Sequence, residues 1–387
     1  MQPVRTALVG IGGIGGYHRG IISAIEDYQF VAAAEKYPER QEAGVTALQE
    51  QGIPLYQDIW EMLDAVEVDA VTIAVPHHYH AEYTLGCLDR GLHVLCEKPV
   101  TVLVQDAFAV VEAAKRNHRL SGVDFQYTSY PHSYKLKELI MSGELGELRE
   151  IVGVMSWKRL DDYYSRGHWT GKQYVEGRAC FDGVLMNQAV HLINTALQMG
   201  TREDDHASPV SMEAELYTVH DNIEVEDLAC LRADLGEAKL LFYATTCNMK
   251  EGEPERTTLE IIGSKGRATW DDAKAVVNID GRDEIVFDDP RDRDDMHMNL
   301  IRCIRGEDKR LHAPADRGLK ATLTINGAYT SAGAIHRIGW DAVEDIKAFI
   351  DEASDSRRMF SEMGADWARP GRVVDMTGYR EFTGLAG

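Results

Sequence analysis

Basic residues are scarce in this chain of 387 residues: 41 Lys and Arg stand against 63 Asp and Glu, which gives a formal net charge of −22 at pH 7. Nucleic acids and anionic membranes are bound through basic patches, so this balance argues against both as main partners. Cysteine is also sparse. The six cysteines, at positions 87, 96, 180, 230, 247 and 303, show no CxxC spacing. This pattern indicates reduced thiols rather than a disulfide framework or a zinc site, and we expect no metal.

Long apolar runs are missing as well. No stretch is long enough to span a bilayer, and the N-terminus enters a strand pattern without the regions of a signal peptide. We therefore expect a cytoplasmic protein with no membrane partner. A hydrophobic content of 44% with 27% charged residues is typical of a globular protein, and the length favours two domains over one core.

A glycine-rich turn follows the first predicted strand. The β-rich run Val4–Val9 leads into the pattern Gly10-x-Gly12-x-x-Gly15, after which a helical pattern begins. Glycines at this spacing allow a tight turn and a close approach of the backbone to a pyrophosphate, whose charge is attracted by the helix N-terminus. The candidate cofactor contacts in this turn are Gly10, Gly12, Gly13, Ile14 and Gly15.

An acidic residue stands where a ribose contact is expected. The second predicted strand ends in Glu35, about 20 residues after the last glycine, where a carboxylate binds ribose hydroxyls. The same carboxylate repels the 2′-phosphate of NADP, whereas Lys36 or Arg40 can pair with one. The pattern favours NAD over NADP, with Glu35 and Lys36 among the cofactor contacts.

The apolar run Val94–Cys96 ends in the charged pair Glu97 and Lys98, followed by Pro99. Such a run predicts a buried parallel strand, and ligands bind at the carboxyl edge of open α/β sheets. Lys98 can act as a general acid or base there if its pKa is lowered, for example by a nearby nicotinamide cation.

Strands and helices alternate over the first 125 residues, which predicts a doubly wound parallel sheet of the Rossmann type in residues 1–125. Short strands with turn signals then predict an α+β domain with a large, mostly antiparallel open sheet in residues 126–338. Helical patterns at 298–304 and 319–335 are expected to return to the first domain. Residues 339–387 are predicted to form a helical and tail extension. One sheet face, with Leu241, Tyr243 and Leu259, is expected to bury against a second subunit in a homodimer or homotetramer.

Several motifs together resemble the Gfo/Idh/MocA oxidoreductases, a family that includes glucose–fructose oxidoreductase and inositol dehydrogenases. They are the glycine turn, the strand Asp69–Pro76, His80 and the stretch Gly91–Pro99. The likeness covers roughly residues 4 to 335. It implies that Pro76 and His80 line the cofactor cleft. It also implies that Glu97 touches the cofactor and that Lys98 stands beside the reacting carbon.

Within the second domain, Asn187 and His191 are four residues apart, which predicts that they share one face of a helix. By the resemblance, both point at the substrate, and His191 is a catalytic residue together with Lys98. Relatives often carry Asp at the first position. Asn187 cannot take a proton but can hold a substrate hydroxyl. Asp182 either enters the pocket or caps the helix.

The loop after the first strand of the second domain interleaves aromatic and polar residues, which suits a sugar, whose ring faces stack while its hydroxyls need hydrogen-bond partners. Subunit contact would explain the same composition. The candidate substrate contacts are Arg159, Tyr163 and His168 in this loop, together with Tyr127, Asn187 and Asp182.

The sequence therefore predicts an NAD-dependent dehydrogenase that moves a hydride between nicotinamide and a secondary alcohol of a sugar, glycoside or cyclitol. Lys98 or His191 would accept the hydroxyl proton. A redox-neutral glycoside hydrolase or epimerase, which oxidises its sugar only transiently, is the alternative. A non-catalytic dinucleotide-binding regulator is a third interpretation.

Overall fold

The computed structural model describes residues 2–247, 254–290 and 295–385. Two compact units can be distinguished. The first comprises the described residues of Met1–Thr101, Asp106–Phe125 and Asp292–Gly318, and the second those of Val102–Gln105, Gln126–Arg291 and Leu319–Gly387.

The strands of the described chain, in order, are β1 (Val4–Val9), β2 (Tyr28–Ala34), β3 (Leu55–Tyr56), β4 (Ala70–Ile73), β5 (His93–Cys96), β6 (Ser121–Val123), β7 (Leu148–Ser156), β8 (Tyr174–Val175), β9 (Arg178–Ala179), β10 (Ser211–Thr218), β11 (Leu228–Asp234), β12 (Lys239–Thr245), β13 (Arg256–Gly263), β14 (Gly266–Asp271), β15 (Ala275–Ile279), β16 (Ile285–Phe287), β17 (His336–Arg337) and β18 (Val374–Asp375).

Its α-helices are α1 (Ile14–Ala24), α2 (Glu42–Glu50), α3 (Ile59–Ala65), α4 (His80–Asp89), α5 (Val104–Arg116), α6 (Gln126–Ser129), α7 (Pro131–Met141), α8 (Asp161–Tyr164), α9 (Val190–Met199), α10 (Asp295–Ile304), α11 (Ala315–Ala332) and α12 (Ile346–Ser356). Helix α10 belongs to the first unit, and α11 belongs to the second unit from Leu319 onward. None of the described helices is long and apolar enough to cross a membrane.

The first unit is built on a six-stranded sheet of order β3-β2-β1-β4-β5-β6, in which every neighbouring pair is parallel. Strand β4 is buried along its whole length, which accounts for its largely apolar sequence, in which Thr72 is the one polar residue. Strand order reverses between β1 and β4, so their carboxyl ends flank the crevice where doubly wound sheets bind ligands. The predicted Rossmann-type parallel sheet is confirmed.

The second unit is built on a ten-stranded sheet of order β16-β15-β14-β13-β7-β12-β11-β10-β17, with β18 added beside β10. Among its strand pairs within the described residues, β7–β12 and β10–β17 are parallel and the others are antiparallel. The large, mostly antiparallel sheet is therefore confirmed. One helix against this sheet, α9, is buried along its entire length, which accounts for its largely apolar sequence.

The opposite face of the sheet corrects one prediction. Leu241 and Tyr243 are buried there, in a core cluster that includes Ile350 and Phe360. These two residues belong to the last part of the chain, residues 339–387, which we call the C-terminal segment. The Tyr243 hydroxyl donates to the Ala353 carbonyl at 3.1 Å. Because the chain covers this part of the face itself, Leu241 and Tyr243 are unavailable to a second subunit.

Strand register corrects a related expectation. Leu259 pairs with Gly153, whereas Leu241 pairs with Val152, the residue of β7 just before Gly153. Successive side chains of a strand point to opposite faces, so Leu259 lies on the face opposite Leu241. Alternation within one strand defines its two faces, but only the register between strands shows which of these faces are shared.

Candidate active site

The glycine turn joins β1 to α1 at the carboxyl edge of the first sheet. Gly10 has φ +88, and a Cβ there would stand 2.2 Å from the Ala74 carbonyl oxygen. Gly13 is the N-cap of α1, with φ +50 and no side-chain cap. A Cβ on Gly13 would meet nothing within 4 Å, and Ile14 beside it is 46% exposed. The turn thus presents open backbone at the positive end of a helix, which fits a pyrophosphate.

Glu35 leaves the end of β2 and turns toward the glycine turn. Its carboxylate accepts from the Ile11 amide at 3.1 Å and from the Tyr37 amide at 3.0 Å. The next residue, Lys36, donates to the Tyr79 hydroxyl at 2.6 Å. These contacts fix the carboxylate beside the turn, in the position expected for a ribose contact.

His80 connects two turns of the same sheet edge. Its Nδ1 lies 2.7 Å from the Pro99 carbonyl oxygen, and its Nε2 lies 2.9 Å from that of Val75. The ring is fully buried, and burial lowers the pKa of His80 although both carbonyls oppose this shift. His80 therefore lies between the Val75–Pro76 turn and the Lys98–Pro99 turn, with each ring nitrogen beside a main-chain carbonyl.

Glu97 stands at the end of β5 and is 7% exposed. One oxygen lies 3.0 Å from Nε2 of the buried His18 on α1, and the other accepts from the Lys98 amide at 3.2 Å. Asp124, just past the end of β6, lies 3.7 Å from the same His18 nitrogen. Thus Glu97 is fixed by α1 and by the backbone of the residue that follows it.

In the second unit, α9 starts later than predicted. It begins at Val190 with Ala189 as N-cap, and residues 183–189 form turns before it. The prediction that Asn187 and His191 share a helix is therefore wrong, because Asn187 lies in the preceding turn. The prediction that Asp182 caps the helix is wrong too, since its carboxylate bonds elsewhere.

Asp182 orients Asn187. Its carboxylate accepts from the Gly171 amide at 2.9 Å and from Asn187 Nδ2 at 2.6 Å. An ionised carboxylate accepts only, so the NH₂ group of Asn187 must face Asp182. The Tyr163 hydroxyl lies 3.5 Å from the same NH₂ group and accepts from Gln188 at 3.0 Å. Asp182, Asn187 and Tyr163 are thus brought together, and Gln188 joins them.

Glu226 secures the turn that carries Asn187. This fully buried carboxyl accepts from the Leu185 amide at 3.0 Å and from the Tyr329 hydroxyl at 2.9 Å. A Cβ on Gly183 would stand 2.2 Å from its oxygen, so the close approach requires glycine. Burial raises the pKa of Glu226 to about 8.

His191 follows on the first turn of α9 and is 7% exposed. The Tyr127 ring lies 5.1 Å from its imidazole, centroid to centroid. The imidazole therefore lies beside an aromatic ring. The backbone carbonyl of His191 accepts from the Thr195 hydroxyl at 3.0 Å. His191 and Tyr127 are the two predicted site residues that this contact brings together.

The remaining candidates lie in the aromatic loop. Arg159 pairs with Glu255 at 2.8 Å, and its guanidinium lies over the Tyr163 ring at 5.2 Å from the centroid. The Arg166 guanidinium lies 3.5 Å from the same centroid, which restricts the ring area available for stacking on a sugar. His168 is exposed.

Sequence reasoning missed His18, Asp124, Gln188 and Glu226. The position of Asp124 directly after β6 was a usable signal, because polar residues at the carboxyl ends of parallel strands meet at one edge. The partners of His18 and Glu226 are far along the chain, and no local pattern pointed to them.

The chain matches known protein families in both units. The family model described as "Oxidoreductase family, NAD-binding Rossmann fold" (GFO_IDH_MocA) matches residues 4–125, and "GFO/IDH/MocA C-terminal domain" matches residues 134–269. The chain is 26% identical over 204 residues to D-glucoside 3-dehydrogenase of Escherichia coli, which covers 51% of this chain and 54% of that protein. It is 28% identical over 267 residues to glucose-6-phosphate 3-dehydrogenase of Bacillus subtilis, covering 67% and 72%.

The chain spans about half the length of several curated relatives that it matches, as the 54% for the Escherichia coli protein shows. Among solved structures, the WlbA dehydrogenase from Bordetella pertussis, in complex with NADH and UDP-GlcNAcA, superposes with a TM-score of 0.72 at 24% identity. That match covers 86% of this chain and 97% of WlbA, and it is a likeness of fold.

Proposed function

The chain belongs to the Gfo/Idh/MocA family of oxidoreductases, and on that basis we propose that it is an NAD-dependent dehydrogenase of a sugar, glycoside or cyclitol. The observation that carries the proposal is the uncapped glycine turn of α1 with the Glu35 carboxylate fixed beside it. This pairing fits a dinucleotide whose pyrophosphate meets the helix N-terminus and whose ribose meets the carboxylate. When bound, the dinucleotide supplies the hydride acceptor or donor.

NAD is the proposed cofactor rather than NADP. Glu35 is held by two backbone amides, so it is poorly placed to move away from a 2′-phosphate, and Lys36 donates to Tyr79. Titrations of the protein with NADH and with NADPH, followed by nicotinamide fluorescence, test the choice of NAD. We expect NADH to bind at least about tenfold more tightly, and Glu35→Ser to narrow that ratio. Equal binding of both cofactors would contradict the choice of NAD.

The proton acceptor is Lys98 or His191. Histidine has a reference pKa near neutrality, which suits it to this role, whereas a lysine requires a lowered pKa. Asn187, held by Asp182, presents its amide to a substrate hydroxyl, and Tyr127 packs beside His191. Arg159, Tyr163 and His168 remain proposed substrate contacts, with Tyr163 limited by the guanidinium on its ring.

Substitution tests these roles. Lys98→Ala and His191→Ala should each lower kcat by about 10² or more, the usual contribution of general acid–base catalysis. NADH binding to His191→Ala should be unchanged. Lys115→Ala, an exposed lysine on α5, is the matched control and should retain full turnover. Full activity in both Lys98→Ala and His191→Ala would end this mechanism.

Net redox turnover is favoured over the redox-neutral alternative because the curated relatives compared above are dehydrogenases by name. A panel of monosaccharides, glycosides and inositols, read by the absorbance of reduced nicotinamide, identifies the substrate. Product formed without accumulation of reduced cofactor would instead support the hydrolase or epimerase.

Self-association is proposed through the part of the sheet face that the C-terminal segment leaves open. Thr269, Val276 and Val286 stand opposite one another across β14–β16, and Val286 is 45% exposed. Light scattering after size exclusion should give a dimer or tetramer that Val286→Asp dissociates. Val373→Asp, on another exposed valine, should leave it intact. A wild-type monomer would contradict the proposal.

A further inference from the structure

A buried group of ionisable side chains lies beneath the Glu97–Lys98 motif of the first unit. Three elements supply it: α1 carries His18, the end of β5 carries Glu97 and the end of β6 carries Asp124. All three residues are at most 7% exposed. One ring nitrogen of His18 and one carboxyl oxygen from each of Glu97 and Asp124 lie within 4.8 Å of one another. Nε2 of His18 lies between the two carboxyls.

The hydrogen bonds on the far side of His18 indicate its charge. Nδ1 of His18 lies 2.9 Å from Nε2 of His297 on α10, and Nδ1 of His297 lies 3.3 Å from the Tyr28 hydroxyl. If His18 is an imidazolium, its Nε2–H donates to Glu97 and its Nδ1–H donates to a neutral His297. His297 then donates to Tyr28, whose hydroxyl lies 3.5 Å from the His297 carbonyl. In this arrangement each ring nitrogen of His18 and His297 has a partner of the matching donor or acceptor type.

The direction of each pKa agrees with that assignment. Burial opposes the charged form of His18, but Glu97 and Asp124 outweigh it and raise its pKa. Burial and the charge of His18 lower the pKa of His297 well below its usual value. Burial raises the pKa of Tyr28, so its hydroxyl stays protonated.

The two carboxyls share the single imidazolium of His18, which lies 3.0 Å from Glu97 and 3.7 Å from Asp124. Burial and the charge of Glu97 raise the pKa of Asp124 to about 7, against the opposing effects of His18 and Lys98. The thiol of Cys96 also faces Asp124, and burial keeps it protonated by raising its pKa. Asp124 is thus the carboxyl of this group whose protonated form its surroundings favour.

We infer that Asp124 is a positioning residue that holds an exchangeable proton beside Glu97 and thereby sets the preference of the site for oxidised over reduced dinucleotide. The inference rests on the proposed function, because it places the nicotinamide at the sheet edge formed by Glu97. Oxidised nicotinamide is a cation and reduced nicotinamide is neutral. An ionised Asp124 therefore favours NAD⁺, and NAD⁺ binding releases the Asp124 proton to solvent.

Binding measured against pH tests this linkage without any substrate. From pH 6 to pH 8, the Kd of wild type for NAD⁺ should fall by about three- to tenfold, tenfold being the effect of a pKa change of one unit. The Kd for NADH should move less than about twofold. Asp124→Asn should remove the pH dependence for NAD⁺ and keep NADH binding. Asp106→Asn, a carboxyl of the same unit whose pKa burial also raises, is the control and should behave as wild type.

Calorimetry on the wild type gives a readout that does not depend on the variant folding. Titrations at pH 7 in two buffers of different ionisation enthalpy count the protons released, and we expect a measurable fraction of one proton with NAD⁺ and none with NADH. Equal proton release with NAD⁺ and with NADH would refute the role of Asp124, and so would a pH-independent Kd for NAD⁺. Either result would leave the proposed function standing. Failure of both dinucleotides to bind at any pH would overturn the proposed function and this inference together.

Discussion

The substitution Glu226→Gln should make the second unit more stable than in the wild type, and this difference should grow as the pH rises. The Glu226 carboxyl is fully buried, and its pKa is raised from 4.5 to about 8 by burial. Between those values the unfolded chain has lost this proton while the folded chain retains it. The wild type therefore loses stability as the pH rises from about 5 to about 8, and the difference of about 3.5 pH units corresponds to about 4 to 5 kcal/mol. The amide of Gln does not titrate and still accepts from Leu185.

Urea unfolding at pH 5, 6, 7 and 8, followed by tryptophan fluorescence, measures this effect. Five of the six tryptophans, at positions 157, 169, 270, 340 and 367, belong to the second unit, so the signal reports mainly on it. The free energy of unfolding of the variant minus that of the wild type should grow with pH. Glu50→Gln, on an exposed carboxylate of α2, should show no such growth. If this difference in unfolding free energy grew by less than about 1 kcal/mol between pH 5 and pH 8, the reasoning would be refuted.

Two further predictions concern stability. Lys137 is buried and its Nζ donates to the carbonyls of Gln198 at 2.7 Å and Thr201 at 2.6 Å, so Lys137→Met should cost about 2 to 3 kcal/mol by urea unfolding. Lys135→Met, on an exposed lysine of the same helix, should cost less than about 0.5 kcal/mol, and equal costs would contradict this account. Deleting residues 339–387 should expose the face around Tyr243 and cause association detectable by light scattering, whereas a monodisperse, stable truncated protein would contradict it.

The first unit was largely predictable because its signals are local. The glycine turn, the Glu35 position and the Glu97–Lys98 motif each follow a buried strand, and parallel strands place their carboxyl ends at one edge. The chain order of strands and helices then leaves few topologies. Identifying the fold therefore required no long-range information.

The second unit was predictable only in outline. Strand positions followed from alternation, but the face of Leu259 depends on register with β7, which is a tertiary property. The spacing of Asn187 and His191 suggested one helix because four residues make about one turn. The turn at 183–189 forms instead because Glu226 and Asp182, from outside it, bond its backbone and side chains.

Because the C-terminal segment covers Leu241 and Tyr243, the burial of this apolar surface does not depend on protein concentration. A surface shielded by a separate molecule is protected only while that molecule is bound, so its protection weakens as concentration falls. Here the shield is tethered to the surface it protects. The apolar interior around Tyr243 should therefore stay closed at nanomolar as well as micromolar protein, whatever the assembly state of the chain.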